Sequence, residues 1–270
     1  KFDFNNLIIL EMANNHQGSV AHGAKVIKAL APVVEEAGVR AAVKFQFRDL
    51  DTFIHPHFRN STEYKHIPRF LSTALSRSDF KKLVREAAEE GFITMVTPYD
   101  EVSVDMLEDF GVEIIKVASA YATDWPLLER IAEAGKPVVC STGGLSIEQV
   151  DNLVSFFEHR GVDFALMHCV SIYPTPAHKL GLERIQIFKD RYPQLTIGYS
   201  THEDPDNVDA VKIAYANGAR IFERHVGLEA KGVQLNAYSS RPEQIGRWLE
   251  AYNNAVSMIG SPNAALAPDD

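Results

Sequence analysis

The sequence predicts an α/β protein folded as a single (β/α)8 TIM barrel, and three observations lead to that prediction. Short apolar segments alternate with amphipathic helical patterns along the chain, which is typical of a parallel sheet. Eight such segments fit into 270 residues, close to the ~250 residues of a common TIM barrel. Polar side chains also recur where the predicted strands end, which is where such barrels carry their active sites.

The predicted strands are rich in Val, Ile and Phe and are mostly four to six residues long, as strands buried on both faces are. They span residues 7–12, 42–47, 93–96, 114–117, 137–141, 164–168, 196–200 and 220–224. An open doubly wound sheet is the alternative α/β arrangement. Eight repeats favour the closed barrel, and the first strand is not followed by the GxGxxG turn of a dinucleotide-binding sheet.

Helical spacing of apolar residues and capping residues predict the helices between these strands. The helix at 78–90, for example, begins with a serine cap at Ser78 and closes at Gly91. The predicted helices span 20–37, 78–90, 103–110, 127–134, 146–159, 207–217 and 242–258. Seven of the eight predicted strands are therefore followed by an adequate predicted helix, although the helix at 103–110 is short.

Two segments depart from the alternation. Residues 48–77 form a long insert after the second strand, which holds His55, His57 and His66 and should stand over the active-site face. Residues 261–270 are expected to be a linker or tail, so the catalytic barrel domain is assigned to residues 1–260.

Composition restricts the class of protein. The net charge of −9 argues against nucleic acid as a partner, although a few lysines in one cleft can still bind an anionic metabolite. Two cysteines, Cys140 and Cys169, are too few for a disulfide framework and indicate small core residues in a reduced, cytoplasmic protein. We expect no membrane partner, because no apolar run is long enough to span a bilayer and the first residues do not resemble a signal peptide.

Two lysines lie within predicted apolar strands, where an unpaired ammonium group is costly. Lys44 and Lys116 therefore have two interpretations: they form buried salt bridges, for instance to Glu11 or Glu223, or they face a bound phosphate or carboxylate. Hydroxyl groups at the neighbouring strand ends, together with the backbone N–H groups of the STGG turn, would add neutral donors for such an anion.

Two histidines follow adjacent predicted strands. His202 and His225 could share one divalent cation, because neighbouring strands lie about 4.8 Å apart. Two imidazoles with water suit Mn, Fe, Co or Zn better than Mg. The alternative is that each histidine is an ordinary hydrogen-bonded core residue. Glu11 could be a third metal ligand, a general base or an ion-pair partner.

Seven motifs then appear in order: EMANNHQG, VKFQ, IKVAS, STGG, HCVSIYPTP, GYSTH and ERHVG. Together they resemble the sialic acid synthase family, which includes the legionaminic and pseudaminic acid synthases and a spore-coat polysaccharide protein. The resemblance extends from about residue 7 to residue 245. It implies a homodimeric barrel enzyme with a divalent metal, most often Mn2+, that condenses phosphoenolpyruvate with an N-acetylated hexosamine such as N-acetylmannosamine. The product would be a nine-carbon 2-keto sugar acid, with release of phosphate.

The resemblance also implies residue roles. Those that match phosphoenolpyruvate contacts are Lys44, Thr97, Lys116, Ser119, Ser141, Ser171, Tyr173 and Ser200. His202 and His225 match metal ligands, whereas Glu11 and Gln46 match residues that act on or bind the sugar.

The chain departs from the family pattern at three points. Asn236 stands where an acidic residue usually contacts the sugar, so it is assigned to the catalytic set without the ability to transfer protons. Ser171 stands where Asn is common, and the chain ends before the family's C-terminal antifreeze-like domain. Two other hypotheses therefore remain: a degenerate member that binds metabolites without condensing them, and another metal-dependent keto-deoxy sugar acid synthase or aldolase.

Overall fold

The computed structural model describes residues 1–260, so the predicted tail 261–270 lies outside the described residues. The chain closes into a barrel of eight parallel strands that follow one another in sequence order, β1 to β8, with β8 paired to β1. The predicted (β/α)8 fold is confirmed. All the strand ends that carry polar residues therefore meet at one rim of the barrel.

The strands agree with the predicted ones to within one residue, except that β2 begins two residues earlier and β3 ends two residues later. Their bounds are β1 Leu7–Glu11, β2 Arg40–Phe47, β3 Ile93–Pro98, β4 Ile114–Val117, β5 Val138–Ser141, β6 Phe164–Cys169, β7 Ile197–Ser200 and β8 Ile221–His225. In the register, Glu11 is paired with Lys44 on one side and with His225 on the other.

Ten α-helices accompany these strands in residues 1–260. They are α1 Val20–Ala37, α2 Leu50–Phe53, α3 His66–Ser72, α4 Arg77–Glu89, α5 Glu101–Asp105, α6 Trp125–Glu133, α7 Ile147–His159, α8 Glu183–Arg191, α9 Asp209–Ala216 and α10 Pro242–Ile259. The prediction of 103–110 was wrong in its extent, because α5 is a short helix that Asp100 caps at its first turn. α8 and the insert helices α2 and α3 lie where the sequence pattern had suggested no helix bounds.

The insert between β2 and α4 is folded rather than irregular. It contains α2, a 3-10 turn at Pro56–Phe58 and α3. Phe53 packs edge-on against Phe70 and Tyr99, with ring centroids 6.0 and 6.3 Å apart. These contacts attach the insert to the end of β3, so it lies over the active-site rim as predicted.

Apolar side chains fill the barrel below that rim. Inward-facing residues such as Leu7, Ile9, Met95, Ile114 and Val139 form one fully buried cluster inside the barrel. The alternate residues of the same strands, such as Ile8 and Leu10, face the surrounding helices in a larger cluster. Because the lower interior is solid, polar chemistry is confined to the C-terminal end of the strands. Among the described helices, none is both long and apolar enough to cross a membrane.

Candidate active site

A cavity of about 440 Å³ opens at the C-terminal ends of the strands and brings most of the predicted site residues together. Twelve of the thirteen line it: Glu11, Lys44, Gln46, Lys116, Ser119, Ser141, Ser171, Tyr173, Ser200, His202, His225 and Asn236. Thr97 does not. It is buried on β3, where the register pairs it with Gln46.

Four buried charged groups form a chain of alternating sign across the cavity floor. Glu11 is salt-bridged to Lys44, and the Lys44 Nζ lies 3.1 Å from Oε1 of Glu223. The Lys116 Nζ lies 2.9 Å from Oε2 of the same carboxylate. The two lysines are thus ion-paired, as one interpretation of the sequence expected. Each ammonium group has three N–H donors and contacts two carboxylate oxygens, which leaves one donor for a ligand.

Burial and ion pairing act against each other on these groups. Burial opposes the charged form of Lys44, but the two carboxylates outweigh it and raise the lysine's pKa. Lys116 has a lowered pKa, because burial dominates over its single carboxylate partner. For Glu223, burial is outweighed by Lys116 and Lys44, which lower its pKa. Lys116 is therefore the less compensated cation and the one that gains more from a bound anion.

Glu11 is held in place by the turn that follows β1. Its Oε1 accepts the backbone N–H of Ala13 at 2.6 Å. Ala13 itself has φ 45°, a left-handed conformation that costs a non-glycine residue energy and that is often found at functional sites. The same turn is anchored by Asn15, whose Nδ2 donates to the Val226 carbonyl at 2.7 Å.

Three loops after β4, β5 and β6 bring small polar groups together beside the lysines. The Gly143 N–H donates to the Ser119 Oγ at 2.8 Å. A Cβ at Gly143 would lie 2.6 Å from the Ser171 Oγ and 3.0 Å from the Ser119 Oγ, so a larger residue would displace the two hydroxyls. The buried Ser141 hydroxyl has no partner among the described residues, and the Ser200 hydroxyl donates to Glu223. This side of the cavity is rich in neutral donors.

His202 and His225 have the properties of a pair of metal ligands. Their ring centroids lie 5.3 Å apart. The Nδ1 of His202 donates to the Val170 carbonyl at 2.9 Å, which leaves Nε2 with a free lone pair. The Nδ1 of His225 is buried and has no hydrogen-bond partner within residues 1–260. Burial lowers the pKa of both residues to about 3, so both are neutral at physiological pH.

These two residues fit a divalent transition metal as far as their donor atoms are concerned, because neutral imidazole nitrogens are its usual ligands. Within residues 1–260, no group of three His, Cys, Asp or Glu residues forms a metal-binding cluster. A metal held here would have two protein ligands, with water and substrate completing its coordination.

Two tyrosines and an asparagine enclose the histidine pair. Tyr173 packs on His202 with ring centroids 4.1 Å apart, and Tyr238 meets His225 edge-on at 5.0 Å. The Asn236 Oδ1 accepts the backbone N–H of Tyr238 at 3.1 Å. Asn236 therefore shapes the turn that presents Tyr238, and its amide NH2 group stays available to a ligand.

Gln46 is oriented by a residue outside the predicted set. The Nη2 of Arg48 donates to the Gln46 Oε1 at 3.0 Å. The guanidinium carbon lies 3.7 Å from the ring centroid of Tyr99 and 4.3 Å from that of Phe70, so the arginine is held by stacking as well. With its oxygen turned to Arg48, Gln46 presents its NH2 group as a donor.

Several lining residues were not predicted from the sequence. Tyr99, Arg69, Phe70 and Tyr238 come from loops or from the insert, where strand-end reasoning gives no signal. Glu223, a polar residue near the end of β8 that was considered as an ion-pair partner for the lysines, was not among the predicted site residues. Of the insert histidines, His66 lines the cavity, whereas His55 lies in a separate apolar groove of the insert.

A sequence model of the NeuB family matches residues 32–264. The N-acetylneuraminate-9-phosphate synthase of Drosophila melanogaster is 34% identical over 278 residues, covering 97% of this chain and 70% of that protein. An uncharacterized protein of Methanocaldococcus jannaschii is 32% identical over 266 residues, covering 97% of this chain and 74% of its own length.

Solved structures give the same picture. A Chromobacterium violaceum protein assigned as spore coat polysaccharide biosynthesis protein E superposes with a TM-score of 0.96 at 46% identity, covering 98% of this chain and 79% of that one. The N-acetylneuraminic acid synthetase of Leptospira borgpetersenii, solved in complex with citrate, has a TM-score of 0.85 at 26% identity, covering 97% and 87%. With the barrel and its cavity, these matches establish that the chain belongs to the NeuB family and is an enzyme of the sialic acid synthase type.

Proposed function

We propose that the protein condenses phosphoenolpyruvate with an N-acetylated hexosamine, such as N-acetylmannosamine, to a nine-carbon 2-keto sugar acid and releases phosphate. One observation carries the proposal: a single cavity combines an anion-binding side, built from Lys44, Lys116 and serine hydroxyls, with a pair of neutral histidines. The first side suits the phosphate and carboxylate of the enol, and the second suits a metal-assisted carbonyl group.

The reaction divides between these two sides. Lys44 and Lys116 each offer an N–H donor to the enol's anionic groups, which holds its C3 carbon toward the acceptor. A divalent metal, which we propose to be Mn2+ bound by His202 and His225, would polarise the aldehyde oxygen and stabilise negative charge on it. C3 bonds to the aldehyde carbon, and the aldehyde oxygen takes up a proton to become a hydroxyl group.

Bond formation leaves positive charge at C2 of the former enol, which water captures. The Glu11 carboxylate is held by Lys44 and by the Ala13 N–H beside this position, and we assign it the proton that this water loses. Cleavage of the C2–O bond then releases phosphate and leaves the 2-keto group. Gln46 and Asn236 donate hydrogen bonds to the sugar, and Asn236 takes no proton because an amide does not titrate.

The proposal is completed by three features that the family resemblance supports. They are a homodimeric assembly, a cytoplasmic location and substrates that are small molecules rather than nucleic acid or membrane. Tyr173, Ser119, Ser141, Ser171 and Ser200 are assigned to the phosphoenolpyruvate side of the cavity. Thr97, which pairs with Gln46 in the register, is assigned to the same side.

The test is phosphate release from phosphoenolpyruvate with Mn2+ and a panel of N-acetylated and plain aldoses. We expect release that requires an N-acetylated hexosamine and that is lost in His202→Ala. The matched control is His159→Ala, at an exposed histidine at the end of α7, which should release phosphate like the wild type.

Other outcomes identify the alternatives. Binding of phosphoenolpyruvate by calorimetry without release from any sugar would identify a family member that binds metabolites without condensing them. A better rate with an unacetylated aldose would reassign the enzyme to another keto-deoxy sugar acid synthase.

A further inference from the structure

A buried ion pair lies next to the two histidines in the chain but outside the cavity that they line. Glu203 directly follows His202, and Arg224 directly precedes His225. Successive residues of a strand point to opposite faces, so Arg224 faces the surrounding helices while His225 faces the cavity. The Arg224 Nη2 lies 3.7 Å from Oε1 of Glu203, and both side chains are almost completely buried.

The Arg224 guanidinium group connects β8 to the segment that follows His202. Its Nη2 donates to the carbonyl of Asp204 at 3.0 Å and to that of Asn207 at 3.1 Å, both between β7 and α9. Its central carbon lies 5.2 Å from the ring centroid of Trp248 on α10. The arginine therefore holds the backbone after His202 against the strand that carries His225.

The strand ladder does not make this connection. The register of β7 with β8 ends at the pair formed by Ser200 and Glu223. One more backbone hydrogen bond follows, from the Thr201 N–H to the Glu223 carbonyl at 3.0 Å. Among residues 1–260, no backbone hydrogen bond joins residues 202–203 to β8. The distance between the histidine segments thus depends on side chains, and Glu203 and Arg224 are the charged pair that spans it.

Stability alone does not account for a pair of this kind. A nitrogen–oxygen distance of 3.7 Å exceeds that of a hydrogen bond, and Oε1 of Glu203 has no hydrogen-bond partner within the described residues. The same holds for Nε and Nη1 of Arg224. Burying charges is costly, and replacing a buried ion pair by apolar residues is often neutral or stabilising. The position of the pair between the two histidine segments gives it a different role.

We propose that Glu203 and Arg224 are positioning residues for the metal. By holding the His202 segment against β8, they keep the two imidazole rings at their spacing of 5.3 Å between centroids. Neither residue contacts the metal or the substrates. The inference rests on the metal site of the proposed function, but not on the identity of the acceptor sugar.

The test is metal binding by the purified protein without substrates, with Co2+ followed by visible absorption and Mn2+ by electron paramagnetic resonance. We expect His202→Ala to abolish binding. Glu203→Gln keeps the shape of the side chain but removes its charge, and should raise the Kd for Co2+ by about tenfold, as changes around metal ligands commonly do. Arg224→Met should weaken binding at least as much, and Arg224→Lys should restore part of the affinity.

Asp151→Asn is the matched control. Asp151 on α7 is also held by an arginine and a tyrosine, since it accepts from Nε of Arg191 and from the Tyr192 hydroxyl, both at 2.7 Å. This carboxylate has no contact with the histidine segments. Its variant should bind Co2+ like the wild type, because it loses a comparable ion pair elsewhere in the barrel.

Phosphate release adds a readout that general damage to the fold would not give. In Glu203→Gln, saturating Mn2+ should bring the rate back to that of the wild type, and the KM for phosphoenolpyruvate should be unchanged. A rate that stays low at saturating Mn2+ would argue against a role in metal positioning.

Circular dichroism of each variant shows whether it is folded, and Glu203→Gln decides the question if Arg224→Met does not fold. Weaker Co2+ binding in folded Glu203→Gln, with normal binding in Asp151→Asn, supports the inference even if no sugar is turned over, which would refute the proposed function alone. Unchanged affinity in Glu203→Gln would overturn the inference. Affinity that His202→Ala leaves unchanged would also overturn it, because the metal would then not lie at the histidine pair.

Discussion

At the scale of single residues, the two buried lysines of the cavity are ion-paired with only two carboxylates, those of Glu11 and Glu223. Removing one member of a buried ion pair typically costs 3–5 kcal/mol when it leaves an unpaired charge. Glu223 is shared between Lys44 and Lys116, and Lys44 also contacts Glu11. Loss of Lys116 therefore leaves every remaining charge with a partner, so this lysine can be replaced to test binding rather than folding.

We predict that Lys116→Met raises the KM for phosphoenolpyruvate by about tenfold to a hundredfold, which corresponds to the ~1.5–3 kcal/mol of a hydrogen bond to a charged group. Steady-state phosphate release measures this change. Lys81→Met, at an exposed position of α4, is the control. An unchanged KM in Lys116→Met would mean that this lysine serves only the salt bridge.

Arg48 illustrates a positioning effect on a neighbouring side chain. Its hydrogen bond fixes which end of the Gln46 amide faces the cavity. We predict that Arg48→Met raises the KM for N-acetylmannosamine several-fold, because the freed amide can turn its oxygen toward the sugar, and leaves the KM for phosphoenolpyruvate unchanged. Arg48→Lys, which keeps a donor, should restore part of the loss. A change in kcat alone, with both KM values unaltered, would argue against this role.

At the scale of elements, the loop after β5 depends on a glycine that separates two hydroxyl groups. We predict that Gly143→Ala lowers kcat/KM for phosphoenolpyruvate at least tenfold, because its Cβ would displace Ser171 and Ser119. Thermal unfolding should change less than kcat/KM, since the two shortest contacts are with serine hydroxyls and only the third, at 3.2 Å, is with a backbone oxygen. Gly246→Ala on α10, where the nearest atom to a Cβ is 3.7 Å away, is the matched control. Normal activity in Gly143→Ala would show that the two serines do not contact the substrate.

The elements also show where local patterns are reliable. Ser146 and Gln149 form a capping box at the start of α7, and such a signal can be recognised in the sequence. The helices of the insert and α8 have weaker local signals, because their mean apolar character is low or their length is short. Packing against the barrel, as in the contact of Phe53 with Tyr99, stabilises what local preference does not.

At the scale of the whole molecule, buried neutral histidines make stability depend on pH. His16 has its pKa lowered from 6.5 to about 4 by burial, so the unfolded chain binds its proton more readily than the folded one. Stability should therefore fall as the pH decreases from about 6.5 to 4, with a contribution from His16 of roughly 3 kcal/mol.

Urea unfolding of the wild type and of His16→Leu between pH 7 and pH 4 measures this contribution as a difference in slope. We predict a shallower loss of stability in the variant, because leucine cannot take up a proton. Other buried histidines contribute equally to both proteins and cancel in the comparison. Parallel pH profiles would mean that His16 titrates alike in the folded and unfolded states.

Local sequence was sufficient to predict the eight strands, most of the helices and eleven of the twelve predicted site residues that line the cavity, because periodicity, caps and strand ends are properties of neighbouring residues. Asn236 was predicted from the family motifs alone. The family motifs supplied the roles that remain proposals. Contacts between distant parts of the chain set the rest. Lys44 and Glu223 are 179 positions apart, and nothing near either residue indicates that one carboxylate holds two lysines. A cavity of about 320 Å³ likewise exists only because insert residues such as Phe70 and Ala74 meet Phe47 of β2 and Phe80 of α4.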